Sequence, residues 1–113
     1  MISRNRKKYK TPHFVMLRHD LLKDPEWRKL SSSAKVLYIY LRVKFNYVTL
    51  SEVTLAYSEV EDMMSSKTIS RAFRELQNSG WIEKTKHGGL YGGMCAYKFI
   101  GAYKDFYYHG RVV

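Results

Sequence analysis

Between residues 67 and 78, Lys67, Ser70, Arg71, Arg74, Gln77 and Asn78 recur at spacings that place them on the outward side of a helix, opposite Ile69, Ala72, Phe73 and Leu76. Those polar types carry a definite chemistry. Arginine can bond bidentately to guanine O6 and N7, and glutamine or asparagine can do the same to adenine. Residues near the N-terminus of such a helix reach deepest into a major groove. Lys67, Ser70 and Arg71 are therefore the candidates for base contact, Thr68 for backbone contact, and Arg74 for base or phosphate, with Ser66 a further DNA-binding candidate at the start of the helix. Any exposed helix face is polar, however, so the surrounding elements must decide whether this one does more than meet water.

Two further basic groups could act with it. Lys84, Lys86 and His87 precede a stretch containing Gly88, Gly89, Gly92 and Gly93. Glycine lets a hairpin tip approach a duplex closely, and the lysines could pair with phosphates. Arg4, Arg6, Lys7, Lys8 and Lys10 form an acid-free run within residues 1–11, which reads as a flexible basic arm making non-specific phosphate contacts. Residues 12–113 make up the domain. Catalytic chemistry has little to stand on. His13, His19, His87, His109 and Cys95 lack the spacing of a zinc site, and no glycine-rich loop leads into Lys-Ser or Lys-Thr. The reading is no enzyme, no metal, no cofactor and no small-molecule substrate.

The composition agrees with an anionic partner. The chain has 113 residues, 20 Lys and Arg against 10 Asp and Glu, and a net charge of +10; its pI is about 9.8. A pI this high is the footprint expected of a nucleic-acid binder. The charge is uneven. Residues 1–50 hold twelve basic and three acidic groups, whereas 51–113 hold eight and seven. The longest apolar run, Val36 to Leu41, is six residues, far below the ~20 of a membrane span. A basic start with no apolar segment after it argues against secretion, and the lone Cys95 fits a reducing compartment. The sequence reads as cytoplasmic, with no membrane partner.

The elements that must position these groups follow from periodicity and caps. Phe14–Leu17 reads as a short extended segment, and Asp24-Pro25-Glu26 opens a turn of helix carrying Trp27 and ending near Leu30. Ser31 or Ser32 caps a helix over Ser33–Phe45. On it Ala34, Leu37, Tyr38, Leu41 and Phe45 form one apolar stripe, and Val36, Ile39, Tyr40 and Val43 a second. The second stripe needs cover from Phe14–Leu17, from the C-terminal aromatics, or from another subunit in a homodimer. Val53–Tyr57 reads as a short strand. Ser58 and Glu61 pair as a capping box for a brief helix with Val60, Met63 and Met64 on one face. Ser66 caps a helix over Lys67–Ser79, which Gly80 stops. Trp81–Thr85 and Cys95–Ile100 form a hairpin. Tyr103, Phe106, Tyr107 and Tyr108 have the composition of a single-strand stacking platform, but helical spacing and closeness to the apolar helix favour packing on the core or in a dimer.

Helix, short strand, short helix, turn, longer helix, glycine stop and hairpin form an α+β, mainly α order of elements. The run Ser66-Lys-Thr-Ile-Ser-Arg-Ala-Phe-Arg-Glu-Leu-Gln-Asn-Ser-Gly-Trp-Ile resembles the recognition helix and first wing strand of winged helix-turn-helix proteins. Phe14-Val-Met-Leu, Trp27-Arg-Lys-Leu-Ser-Ser-Ser-Ala-Lys-Val-Leu-Tyr and Gly88-Gly89 with Tyr97 resemble small helix-turn-helix proteins of bacteria and mobile elements, similar to phage and plasmid replication-initiator DNA-binding domains. The resemblance implies a three-helix core with a β-hairpin wing. It implies sequence-specific binding of double-stranded DNA in transcription or replication, with helix 67–79 in the major groove and wing 84–94 on the backbone. Two features depart from the pattern: Met64 stands where the turn usually has glycine, and Glu59, Glu61 and Asp62 lie on the helix that normally crosses the phosphates. The alternative is a winged helix that contacts a protein.

Overall fold

The computed structural model describes residues 15–44, 52–88, 95–104, 107–108 and 111–112. Among them the fold is α+β, about half helical, with four helices and a three-stranded antiparallel sheet. Phe14, Phe45, Phe106 and the residues of the basic arm lie outside the described residues.

Helix α1, His19–Lys23, has no side-chain N-cap, and its five residues carry no period long enough to announce it. It buries Leu21. Helix α2, Pro25–Lys29, starts as its sequence requires, with the Asp24 carboxylate accepting from the Glu26 amide and proline in the first turn; it buries Trp27 and ends at Leu30. Helix α3, Ser32–Lys44, buries Ala34, Leu37, Tyr38 and Leu41, the first of its two stripes. The second stripe splits: Ile39 and Tyr40 pack partly against the core, while Val36 is 40% and Val43 54% exposed.

Strand β1 is only Val53–Thr54. The expected helix with a Ser58–Glu61 capping box is instead one 3-10 turn, Tyr57–Glu59, followed by a hydrogen-bonded turn. The cap falls two residues earlier, with the Glu59 carboxylate accepting from the Ala56 amide at 3.0 Å and from Lys44 at 2.7 Å. Those bonds hold Glu59 below the ordinary 4.5, the Lys44 bond first. Only Val60 of the expected apolar face is buried, and Met64 packs partly against the core, while Met63 stays 49% exposed. Met64 closes the turn with its amide on the Val60 carbonyl, so this turn uses a core side chain where glycine was expected.

Helix α4, Ser66–Asn78, begins one residue before the expected start, because Ser65 rather than Ser66 accepts from the Thr68 amide. It buries Ile69, Ala72, Phe73 and Leu76. At its end Gly80, with φ +80°, lets the Gly80 amide reach Gln77 and the Trp81 amide reach Leu76, a Schellman stop. Strands β2, Ile82–Lys86, and β3, Ala96–Phe99, pair antiparallel with a bulge between Lys84 and Lys86, and the sheet order is β1-β3-β2. Two further strands, β4 Tyr107–Tyr108 and β5 Arg111–Val112, pair with each other. Extended backbone at residues 107–108 replaces the helical spacing expected there, whereas Tyr103 does fold back, its ring parallel to Trp81 at 6.0 Å and its hydroxyl donating to the Asp24 carboxylate at 2.9 Å.

The core lies between α3, α4 and the inner face of the sheet. At its centre Trp27, Trp81 and Phe99 meet the fully buried Tyr38 edge-on at 5.3–5.6 Å; such pairs add ~0.5–1.5 kcal/mol each beyond burial. The Tyr38 hydroxyl accepts from Arg42 at 2.6 Å, so the buried oxygen is satisfied. Burial still pushes the Tyr38 phenol up, against the pull of the guanidinium.

One interhelical tie bears directly on the orientation of α4. Glu75 reaches from α4 to the start of α3, where it accepts from the Ser31 amide at 2.8 Å and the Ser31 hydroxyl at 2.7 Å, and that hydroxyl accepts from the Ala34 amide. A carboxylate at a helix N-terminus is favoured by the exposed amides there. Glu75→Ala should cost about 1–2 kcal/mol of stability. Chemical denaturation checks this, and a cycle with Ser31→Ala should show the two changes to be non-additive.

Candidate nucleic-acid interface

Helix α4 turns Lys67, Arg71, Arg74 and Asn78 outward, and all four are exposed. Their spacing of i, i+4, i+7 and i+11 makes them one stripe, opposite the buried Ile69, Ala72, Phe73 and Leu76. The stripe has three cations and no acid, because Glu75, the one acidic residue of α4, turns aside to Ser31. Side chains so placed can donate to phosphate oxygens, and the arginines can present their forked donors to a guanine edge.

The remaining candidates divide. Ser66 is exposed in the first turn of α4. Thr68 is half-buried, with its hydroxyl accepting from Ser65 at 3.1 Å. Ser70 is half-buried on the flank that faces the sheet, its hydroxyl paired with that of Tyr57 at 2.8 Å. Ser70 is thus committed to a neighbour rather than displayed beside Lys67 and Arg71. Lys86 and His87 are exposed where β2 ends, and Lys84 is half-buried on the inner face of the hairpin. Residues 89–94 of the expected wing, and Arg4, Arg6, Lys7, Lys8 and Lys10 of the arm, lie outside the described residues. Of the three carboxylates that should oppose an anion, Glu59 is matched by Lys44, and Glu61 and Asp62 are exposed on the turn before α4.

Between the flank of α4 and the sheet runs an open groove of about 490 Å3. Ser70, Phe73, Arg74 and Gln77 line it from the helix; Lys84 and Tyr97 line it from the sheet, with Cys95 just before β3 and Leu55–Tyr57. The pleat explains the sheet side: Lys84 pairs across the ladder with Tyr97, so both point the same way. Phe73 lies parallel to Tyr97 at 4.6 Å and to Tyr57 at 6.1 Å. Burial drives the Tyr97 phenol far above its usual range, with the neighbouring Cys95 adding to the effect. Sequence reading gave Tyr57 no place in a site and Tyr97 only a place in the resemblance, because nothing in their spacing shows that both stack on Phe73.

Among the described residues no group of three or more His, Cys, Asp or Glu could hold a metal ion, and no helix is long and apolar enough to cross a membrane. No protein-family model, curated protein or solved structure matches the chain.

Proposed function

We propose that the chain binds double-stranded DNA sequence-specifically, as a small transcription or replication accessory factor of winged helix-turn-helix type. The observation that carries this reading is the acid-free stripe of Lys67, Arg71 and Arg74 along the exposed face of α4. The sheet order β1-β3-β2, with β1 ahead of α4 and the β2–β3 hairpin after it, is compatible with a winged helix. In this reading α4 enters the major groove, Lys84, Lys86 and His87 on the hairpin meet the backbone, and residues 1–11 act as an electrostatic tether. The net charge of +10 supplies the long-range attraction.

Selection of duplexes from a random pool at about 150 mM salt tests the reading, and a salt titration of the selected duplex gives its electrostatic part. If the stripe, hairpin and arm neutralise about six phosphates, log K should fall with log salt at a slope near −5. A slope near zero, or no duplex binding at low salt, removes DNA from the account.

A second reading, a winged helix that contacts a protein, draws on the exposed Val36 and Val43 of α3 and on the excess charge in residues 1–50. A homodimer through that stripe is one form of it. Sedimentation with and without duplex separates the two.

A further inference from the structure

The groove beside α4 combines two kinds of recognition. One is an aromatic face. Tyr57 lies nearly parallel to the buried Phe73, which in turn lies nearly parallel to the buried Tyr97, with interplanar angles of 16° and 12°, and Tyr57 leaves 39% of its surface exposed. The other is charge of one sign. Arg74 from the helix and Lys84 from the sheet both line the groove, and among the described residues no carboxylate lines it. Glu83, next to Lys84, lies across the ladder from Lys98 and pairs with it at 3.6 Å, and Glu75, next to Arg74, accepts from Ser31. Gln77 adds directional capacity: its amide donates to the Phe73 carbonyl at 3.2 Å, which fixes the side chain and leaves its oxygen as an acceptor. A volume of about 490 Å3 falls within the ~300–1,000 Å3 of small-molecule sites.

A flat π-face, two cations from opposite walls and one oriented amide match a planar heterocycle that carries a phosphate. We infer that this groove binds one nucleotide, its base against the exposed ring of Tyr57 and its phosphate held by Arg74 and Lys84. An aromatic platform accepts any base, because every base has a π-face. The nucleotide can therefore be free in solution or part of a single strand. The inference goes beyond the duplex reading and does not rest on it, although Arg74 belongs to both surfaces.

The test is calorimetric titration of the full chain with adenosine monophosphate, with a single-stranded pentanucleotide, and with inorganic phosphate. The expected result is saturable binding of the monophosphate below about 1 mM that phosphate alone does not displace at equal concentration. Tyr57→Ala should weaken it about 5- to 150-fold, the ~1–3 kcal/mol of a base–aromatic stack converted at ~1.4 kcal/mol per tenfold. Tyr57→Phe should restore it, because the ring remains. Lys84→Gln should weaken the monophosphate but not adenosine. Binding of the pentanucleotide alone, with the same response to the variants, assigns the site to a strand. Absence of both, displacement by phosphate alone, or unchanged affinity in folded Tyr57→Ala overturns the inference. Should Tyr57→Ala not fold, amide resonances of the unaltered chain decide: shifts at Ser70, Phe73, Gln77 and Tyr97 on adding the monophosphate support the site, and shifts confined elsewhere refute it. Duplex titration of the same unaltered protein is scored separately, so nucleotide binding without duplex binding, or the reverse, shows which reading failed.

Discussion

Phe73→Ala is expected to destabilise the fold by about 3–5 kcal/mol, the cost of truncating a buried aromatic ring. Phe73 is 4% exposed and lies parallel to Tyr97 at 4.6 Å, so its ring is the joint between α4 and the sheet. Removing it leaves a void bounded by two tyrosines whose own positions are fixed, Tyr97 by the strand ladder and Tyr57 by its hydroxyl bond to Ser70. Little collapse can fill that void, which places the cost toward the upper end. A domain of this size holds only ~5–15 kcal/mol in total, so a large part of its stability is at stake. Arg74→Ala, one residue along the same helix but exposed, should change stability by no more than about 0.5 kcal/mol. Urea denaturation of the two variants gives the comparison. Equal losses would mean that α4 is not seated on the sheet through Phe73.

Arg71→Ala should cost about 1–3 kcal/mol of duplex affinity and relax preference at one base position. Arg71 is exposed one turn into α4, away from Ile69 and Phe73, so its truncation leaves the core intact. Deleting residues 1–10 removes five positive charges, which the proposed function assigns to phosphates rather than to bases. That deletion should weaken all duplexes by a similar factor and make the salt slope shallower. Measured against one preferred and one scrambled duplex, Arg71→Ala should shrink the ratio between them and the deletion should preserve it. The opposite pattern would mean that α4 is not the reader. Either variant must first give an unaltered circular dichroism spectrum.

How much of this was legible beforehand depended on whether a signal was local. The apolar period that buries Ile69, Ala72, Phe73 and Leu76 predicts α4 to within a residue, because a helix repeats every 3.6 residues and the opposite face must be polar. Asp24-Pro25-Glu26 opens α2 as expected, because an N-cap acts within three residues of itself. Gly80 stops α4 because only glycine takes φ +80° without strain. The same locality made the Ser58–Glu61 cap attractive. It lost to Glu59, whose carboxylate is held by Lys44, fifteen residues away. That competition is tertiary, and no window of four residues contains it.

The sequence by itself determined the positive charge, the outward stripe of α4 and the hairpin that follows it, since each depends on residue type and short-range period alone. Tertiary structure decided which polar residues remain available. Ser70 counts as outward by period yet pairs with Tyr57. Glu75 lies on the same helix as the cations yet leaves their stripe acid-free by capping α3 at Ser31. The groove is wholly of this second kind. Tyr57, Phe73 and Tyr97 come from a turn, a helix and a strand, and their rings lie parallel only because burial of α4 against β3 brings three distant stretches of chain into contact. Period fixes the side of an element on which a residue stands; packing between elements fixes what it meets there.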